Sequence, residues 1–356
     1  MKNLGGKAAS VVFERVTKTF GPVVAVREVS FTIEAGKLVT LLGPSGCGKT
    51  TTLRLIAGLE MPTSGRIRIG DEDVTTLPAT ERDVSMVFQS YALFPHMTVL
   101  ENVAYGLSVS GRPKAEARAR AEEGLALVGL AGYGRRLPSE LSGGQQQRVA
   151  VARALVLEPE VLLFDEPLSN LDAKLRRRVR EEIRELQQKL GLTSVYVTHD
   201  QGEALAVSDR IIVMRDAEIA QAGAPRELYD APIDPFVADF IGDANLIEAE
   251  IAAVNGAFAT VRIGPLIREL PHRGLPPGPA HVALRPETIR LVPERRDSAI
   301  AGEVVKTTYL GSHMEYTVST AHGDLFVIDR EVERALPPGT AVSVVPAERG
   351  ITLVRD

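Results

Sequence analysis

Residues 43–51 read GPSGCGKTT, a glycine-rich stretch between two segments of different periodicity. The apolar run KLVTLLG (37–43) before it predicts a buried strand, and TTLRLIAGL (51–59) after it repeats its large apolar side chains on one helical face. Strand, glycine-rich turn and helix in this order fit G-x-x-x-x-G-K-[ST], in which backbone N–H groups surround phosphate oxygens. The stretch therefore predicts a nucleotide-binding loop, with an ordinary glycine-rich turn as the alternative.

The side chains of this loop have separable predicted roles. Lys49 supplies a mobile positive charge to the phosphates, and the Thr50 hydroxyl can ligand Mg²⁺. Thr51 either supports the phosphates or belongs only to the helix. Because a thiol at a helix N-terminus beside a lysine should have a lowered pKa, we expect Cys47 to be reactive, with a small buried thiol as the alternative. The nucleotide-binding residues predicted here are Gly43, Pro44, Ser45, Gly46, Cys47, Gly48, Lys49, Thr50 and Thr51.

A second buried strand, EVLLFDE (160–166), ends in two carboxylates. Asp165 would hold magnesium through water, and Glu166 would act as the general base that polarises the attacking water. An acidic pair after a strand is often only the start of a helix. Together with the phosphate-binding loop, however, it predicts a catalytic pair.

Residues 141–147, LSGGQQQ, form a second glycine-rich break before a helix. Ser142 and Gln145 have the spacing of a capping box, in which each side chain bonds the other's backbone N–H. That interpretation leaves Gly143 and Gly144 unexplained, since two glycines at a helix start cost stability. A helix N-terminus carries about half a positive charge, so we expect a second anion to approach this backbone.

Composition bounds the class of protein. A length of 356 residues exceeds one ordinary core and predicts two domains. A net charge of −5 argues mildly against non-specific nucleic-acid binding, and a single cysteine excludes an intrachain disulfide. The start MKNLGGKAAS lacks the apolar run of a signal peptide, and no stretch reaches the roughly 18 to 20 apolar residues of a membrane span. We therefore expect any work at a membrane to depend on a partner.

The set of motifs resembles the ABC-type ATPases over about residues 9–235, and LSGGQ is similar to the signature motif of that family. The resemblance identifies the nucleotide as ATP. It implies that Phe20 stacks on adenine, that Gln89 contacts Mg²⁺ and the attacking water, and that His199 contacts the γ-phosphate. SNLD (169–172) is similar to the loop that crosses to the partner subunit, with Asp172 as its acid. For Phe20 and His199, read from the residues alone, a structural role is the alternative.

In that family two nucleotide domains pair head to tail. The resemblance thus implies a homodimer in which each ATP lies between the phosphate loop of one chain and the signature of the other. The residues expected to contact the partner's ATP are Ser142, Gly143, Gly144, Gln145 and Asp172.

The absence of membrane helices, coiled coils, zinc ligands or a second cassette favours the separate ATPase subunit of an importer over exporter, DNA-repair and translation-factor types. A cluster expected to be exposed after Gln89, comprising Tyr91, Leu93, Phe94 and Met97, is similar to the cleft that receives a permease. The alternative for some of the four is packing under the helical subdomain. We expect a peripheral protein at the cytoplasmic face of the membrane, bound to permease subunits and indirectly to a solute-binding protein, with no nucleic acid. The resemblance is strongest to polyamine, ferric-iron or aminophosphonate importers. Alternatives are a sugar-type importer ATPase, a regulatory effector-binding module with vestigial ATPase activity, and a P-loop kinase.

Strands that alternate with helices predict an α/β fold, a doubly wound, mostly parallel P-loop sheet with an antiparallel β subdomain and a helical subdomain at about residues 90–160. After residue 240, short strand-like runs separated by Gly and Pro predict a small all-β barrel, similar to the OB-like TOBE domain. We therefore expect an ATP-binding domain at 9–240 and a regulatory or dimerisation barrel at 241–356. Arg285 and Glu287 are expected to pair within that barrel.

Overall fold

The computed structural model describes residues 8–294, 296 and 298–355. The chain divides into two compact units, residues 1–225 and 226–356. The division lies before the boundary predicted after residue 240, because two short helices at 225–240 are packed within the second unit.

The first unit alternates strands and helices, as the sequence predicts. In chain order its elements are β1 (Val11–Phe20), β2 (Val23–Ile33), β3 (Leu38–Leu42), α1 (Lys49–Ala57), β4 (Ser64–Ile69), β5 (Glu72–Asp73), β6 (Val84–Val87), α2 (Val99–Val109), α3 (Lys114–Leu127), α4 (Gly143–Leu155), β7 (Val161–Asp165), α5 (Ala173–Leu190), β8 (Thr193–Thr198), α6 (Gln201–Val207), β9 (Arg210–Arg215) and β10 (Glu218–Gly223).

Six of these strands form the central sheet, in the order β10-β9-β3-β8-β7-β6. The pairs β3–β8, β3–β9, β7–β8 and β6–β7 are parallel, and only β10 runs antiparallel. Every residue of β3 and β8 is buried, as expected of strands covered on both faces. Because parallel strands end at one edge, the segments that follow β3, β6, β7 and β8 meet there, where open α/β sheets bind ligands.

Two smaller layers accompany this sheet. The antiparallel sheet β2-β1-β4-β5 carries a stacked pair, Phe13 and Phe31, with ring centroids 4.5 Å apart. Helices α2, α3 and α4 share a separate apolar core, in which Val103, Leu125 and Val149 are buried. The doubly wound sheet, the antiparallel subdomain and the helical subdomain predicted from the sequence are thereby confirmed.

The second unit is an all-β domain preceded by two short helices. Its elements are α7 (Pro225–Asp230), α8 (Pro235–Phe240), β11 (Asn245–Asn255), β12 (Phe258–Ile263), β13 (Leu266–Pro271), β14 (Gly278–Leu284), β15 (Ile289–Val292), β16 (Ile300–Tyr309), β17 (Met314–Thr320), β18 (Gly323–Asp329), β19 (Ala341–Pro346) and β20 (Ile351–Val354). The strands form two five-stranded antiparallel sheets, β13-β12-β11-β14-β20 and β15-β19-β16-β17-β18. One apolar core with residues from both sheets holds them together.

Arg285 corrects an expectation about this domain. Its side chain is 2% exposed and donates hydrogen bonds to the carbonyl oxygens of Tyr229, Ala238 and Ile241, not to the carboxylate of Glu287. Burial lowers the pKa of this guanidinium to about 10. The pairing predicted with Glu287 was wrong, because the N–H groups of the guanidinium donate instead to carbonyl oxygens at the ends of α7 and α8.

Candidate functional site

The loop between β3 and α1 has a shape that only glycine permits. A Cβ atom on Gly43 would lie 2.3 Å from the carbonyl oxygen of Met214, and one on Gly48 would lie 2.3 Å from that of Ala25. Gly46 has a left-handed φ of 82°, yet a Cβ there would meet nothing within 4 Å. Two glycines thus allow close packing beneath the loop, and the third sets its turn.

Lys49 is folded back into this loop. The residue is 5% exposed, and its Nζ donates to the carbonyl oxygens of Gly43 and Pro44, both at 2.8 Å. Within the described part of the chain no carboxylate pairs with this ammonium group. Its third partner is the Sγ of Cys47 at 3.8 Å. A buried cation held by uncharged groups is strongly attracted to an anion, so Lys49 can exchange these bonds for phosphate oxygens.

Cys47 lies inside the same loop but does not have the expected acidity. The residue is 3% exposed, and burial raises the pKa of its thiol, an effect that nearby Lys49 only partly opposes. The lowered pKa predicted from the helix N-terminus and the lysine was therefore wrong, because desolvation of the thiolate outweighs the neighbouring charge.

The two carboxylates after β7 lie at the carboxyl edge of the sheet. Burial raises the pKa of Asp165, the adjacent Glu166 raises it further, and a hydrogen bond from the Thr50 hydroxyl opposes the rise. Glu166 has a left-handed φ of 43°, and its N–H donates to the carbonyl oxygen of Val197 on β8 at 3.0 Å. A strained backbone held by a neighbouring strand is typical of functional positions.

His199 follows β8, the strand that neighbours β7. Its Nδ1 lies 3.3 Å from Oε2 of Glu166, and its side chain is 62% exposed. Parallel pairing of β7 with β8 thus brings together two residues that the sequence separates.

A buried carboxylate that the sequence analysis missed supports this segment. Glu203, 4% exposed, accepts hydrogen bonds from the hydroxyls of Tyr196 and Thr198, and burial raises its pKa. Asp200 caps α6 by accepting from the N–H of Glu203. Nothing in the local pattern THDQGEA distinguishes Glu203 from an exposed helical residue.

Gln89 lies in the segment that follows β6, the strand beside β7. Its carbonyl oxygen accepts from Nδ2 of Asn170 at 2.9 Å, within the loop that SNLD forms. This hydrogen bond joins the backbone of Gln89 to the loop that follows Asp165 and Glu166.

The cluster predicted to be exposed after Gln89 is only partly so. Tyr91 is 7% exposed and belongs to a buried core, so its predicted place on the surface was wrong. Leu93 is half-buried and packs against two apolar clusters. Phe94 packs against Tyr105, with ring centroids 4.7 Å apart, and Met97 is half-buried.

The signature segment forms the predicted capping box. Ser142 Oγ accepts from the N–H of Gln145, and Gln145 Oε1 accepts from the N–H of Ser142. Its glycines also have a packing role that the sequence did not show. A Cβ on Gly144 would lie 2.8 Å from Cδ1 of Leu175, and one on Gly143 would lie 3.1 Å from a methyl group of Leu171.

Asp172 and Phe20 complete the predicted set. Asp172 caps α5 by accepting from the N–H of Leu175 at 3.0 Å. Phe20 ends β1 and is 46% exposed, with Nζ of Lys18 4.6 Å from its ring centroid. An exposed ring at the end of a strand is available for stacking.

A phosphate loop, a carboxylate pair and a glycine-rich capped helix around one parallel sheet define an ATPase of the ATP-binding cassette class. Residues 26–169 match the family described as ABC transporter, and residues 282–354 match the TOBE domain. No helix in the described residues is long and apolar enough to cross a membrane.

Curated relatives match almost the whole chain. Fe(3+) ions import ATP-binding protein FbpC 1 of Rhizobium meliloti (strain 1021) is 66% identical over 97% of this chain and 98% of the relative. FbpC of Brucella abortus (strain 2308) is 62% identical over 98% and 99%. Spermidine/putrescine import ATP-binding protein PotA of Rubrobacter xylanophilus is 48% identical over 95% and 92%.

Solved structures agree with the cassette fold. Two dimeric structures of the ABC transporter cassette MJ0796, one of them bound to ADP and Pi, are 35% identical to this chain, with TM-scores of 0.54 and 0.55. Each covers 61% of this chain and 99% of the solved chain. The chain belongs to the ATP-binding proteins of ABC importers, which hydrolyse ATP to drive transport.

Proposed function

We propose that this chain is the ATPase subunit of a ferric-iron importer. The observation that carries this proposal is identity of 62–66% to Fe(3+) import ATP-binding proteins over 97–98% of the chain. The spermidine/putrescine relative, at 48%, supports a polyamine cargo less strongly. In such systems the binding protein and the permease mainly select the substrate. The ATPase is therefore assigned to a cargo by the permease to which it binds.

The proposed chemistry follows from the sheet edge. Glu166 is the general base, and its carboxylate lies 3.3 Å from His199. A water between that carboxylate and a bound γ-phosphate would lose a proton to Oε2 as it attacks phosphorus, while the bond from that phosphorus to the β–γ bridging oxygen breaks and ADP leaves with phosphate as the other product. His199 would donate to the γ-phosphate from its exposed side. Gln89 would orient the same water, since its loop is tied to the loop of Asn170. Phe20 would stack on adenine.

Mg²⁺ fits the residues that would hold it. Asp165 is partly buried beside a second carboxylate, a placement that raises its pKa and that a cation would relieve. Thr50 offers the hydroxyl oxygen, and Gln89 an amide oxygen. Phosphate oxygens and water would complete the coordination of Mg²⁺. Such a cation would neutralise charge on the phosphates.

The complete site is proposed to require two copies of the chain. The chain contains one phosphate loop and one signature segment, and the two solved structures of the cassette MJ0796 are dimeric. Ser142, Gly143, Gly144, Gln145 and Asp172 would then act on the partner's nucleotide. Leu93, Phe94 and Met97 are the proposed permease contact, with Tyr91 as their buried support. The assembly would lie at the cytoplasmic face of the membrane.

Reconstitution tests the cargo. The chain, purified with its native permease in proteoliposomes, should hydrolyse ATP faster when its Fe³⁺-loaded binding protein is added, and should import radioactive iron. The iron-free binding protein and a spermidine-loaded homologue serve as controls. Stimulation by the polyamine-loaded protein alone would overturn the iron assignment.

A further inference from the structure

The segment after Gln89 contains two consecutive strained residues. Tyr91 and Ala92 have left-handed φ values of 61° and 48°, although neither is glycine. Among residues with side chains, left-handed backbone is uncommon and persists only where surrounding contacts enforce it. A pair of such residues directly after a proposed catalytic residue therefore requires a specific restraint.

Arg153, on α4, supplies that restraint. Its Nη1 donates to the carbonyl oxygen of Ala92 at 2.6 Å, and its Nη2 donates to that of Tyr91 at 2.9 Å. Burial lowers the pKa of this guanidinium, and no carboxylate among the described residues pairs with it. The guanidinium is partly buried and also lies 5.9 Å from the ring centroid of Phe94. Its two hydrogen bonds to carbonyl oxygens are charge-assisted and directional, so the fork fixes both strained peptide groups.

The start of the same helix also lies near this segment. The Tyr91 hydroxyl is buried without a hydrogen-bond partner and would lie 3.9 Å from a Cβ atom on Gly143, the first residue of α4. Gly143 and Arg153 are about 15 Å apart along the helix axis, given 1.5 Å per residue. The last turns of this helix therefore bond the segment that follows Gln89, and its first residue lies near the Tyr91 hydroxyl.

We propose that Arg153 is a positioning residue for ATP hydrolysis, which holds the segment after Gln89 in its strained conformation and ties Gln89 to the signature helix. Movement of α4, when the signature meets a nucleotide, would be transmitted through the two carbonyl bonds to Gln89. Asn170 restrains the Gln89 carbonyl from the other side. The inference rests on the role proposed above for Gln89.

The first experiment separates binding from turnover in the full-length chain. Arg153→Ala should lower kcat by roughly 10- to 100-fold, as displacement of a catalytic group by about 1 Å does. Affinity for ATP should change less than about threefold, because the phosphate loop is untouched. Arg153→Lys should give an intermediate loss, since an ammonium group lacks the fork that reaches two carbonyls. If Arg153→Ala fails to fold, Arg153→Lys serves as the test variant.

The second experiment is a rescue that a purely structural role would not produce. Glycine adopts left-handed backbone without steric cost, so Ala92→Gly should restore much of the lost kcat when combined with Arg153→Ala or Arg153→Lys. Arg148 is the matched control, because it lies on the same helix and pairs with Glu182 at 2.6 Å. Ala92→Gly should give no recovery in an Arg148→Ala background.

Hydrogen exchange gives an independent readout. Peptides covering residues 86–94 should exchange faster in Arg153→Ala, while those of α4 keep their protection. Unchanged kcat in folded Arg153→Ala, no rescue by Ala92→Gly, or equal rescue of Arg148→Ala would each overturn the proposal. Gln89→Ala tells failure of the proposed function from failure of this inference. If Gln89→Ala hydrolyses ATP normally, the role proposed for Gln89 is wrong. If Gln89→Ala is inactive while Arg153→Ala is fully active, only the role proposed for Arg153 is wrong.

Discussion

His199 Nδ1 lies 3.3 Å from Glu166 Oε2, although 33 positions separate the two residues in the chain (199 − 166). Parallel pairing of β7 with β8 creates this proximity, since each residue follows the carboxyl end of its strand. The backbone of Glu166 is held in a left-handed conformation by a hydrogen bond from its N–H to the carbonyl oxygen of Val197, so the position from which its side chain extends is set before any nucleotide arrives. Preorganisation of this kind favours a general base.

Replacing Glu166 by Gln should therefore stop turnover and preserve ATP binding. The amide cannot accept the proton of the attacking water, so we expect kcat to fall by roughly 10²- to 10⁴-fold. Because bound ATP then persists, the variant should form an ATP-dependent dimer on gel filtration. Full turnover by this variant would rule out Glu166 as the base.

Lys49→Ala should instead remove ATP binding. The variant lacks the ammonium group that is proposed to bond phosphate oxygens. Loss of this charge-assisted hydrogen bond should weaken ATP affinity by roughly 10- to 100-fold or more. Equilibrium binding of a fluorescent ATP analogue measures it. The control is Lys37→Ala, which changes an exposed lysine just before β3 and should leave ATP binding normal.

Ser142→Ala removes the cap from α4 and should lower the free energy of unfolding by about 0.5–2 kcal/mol, measured by urea titration.

A change at the first glycine of the signature should act on the partner's nucleotide. Gly143→Asp should abolish hydrolysis while monomers still bind ATP, because Gly143 is proposed to face the partner's nucleotide. A Gly143→Asp variant whose monomer binds ATP as poorly as Lys49→Ala would contradict the two-chain site.

The Cys47 thiol should react slowly with N-ethylmaleimide. Because burial raises its pKa, the thiolate fraction at neutral pH is below that of a free cysteine, and the labelling rate should keep rising with pH through the ordinary thiol range. MgATP should slow labelling further, since the nucleotide covers the loop. Cys47→Ser should retain activity. Rapid labelling that already levels off near pH 7 would show a lowered pKa.

Truncation should reveal where the first unit ends. A fragment that ends at Gly223 should bind ATP, and one that ends at Asp243 should bind equally well. In the longer fragment α7 and α8 lack Arg285, which donates hydrogen bonds to their carbonyl oxygens within the intact second unit. Trypsin should therefore remove its last residues rapidly at Arg226, yet cleave there slowly in the full chain. Equal protection in both would show that these helices fold with the first unit.

The sequence by itself determined the class of fold and most of the site. The phosphate loop, the acidic pair and the Ser142–Gln145 capping box are local patterns, in which neighbouring residues specify backbone shape and chemistry together. Alternation of strands and helices predicted the doubly wound sheet. The resemblance carried by LSGGQ supplied the ATP and the family.

Only the tertiary structure decided how residues distant in sequence act on one another. Tyr91 is a core residue, Gly144 makes room for Leu175, and Arg285 bonds carbonyls, not Glu287. Burial, not local charge, sets the pKa of Cys47. Arg153 meets Tyr91 across 62 positions. Desolvation and packing depend on all neighbours in space, and periodicity along the chain records which face of an element is buried but not which side chains lie against it.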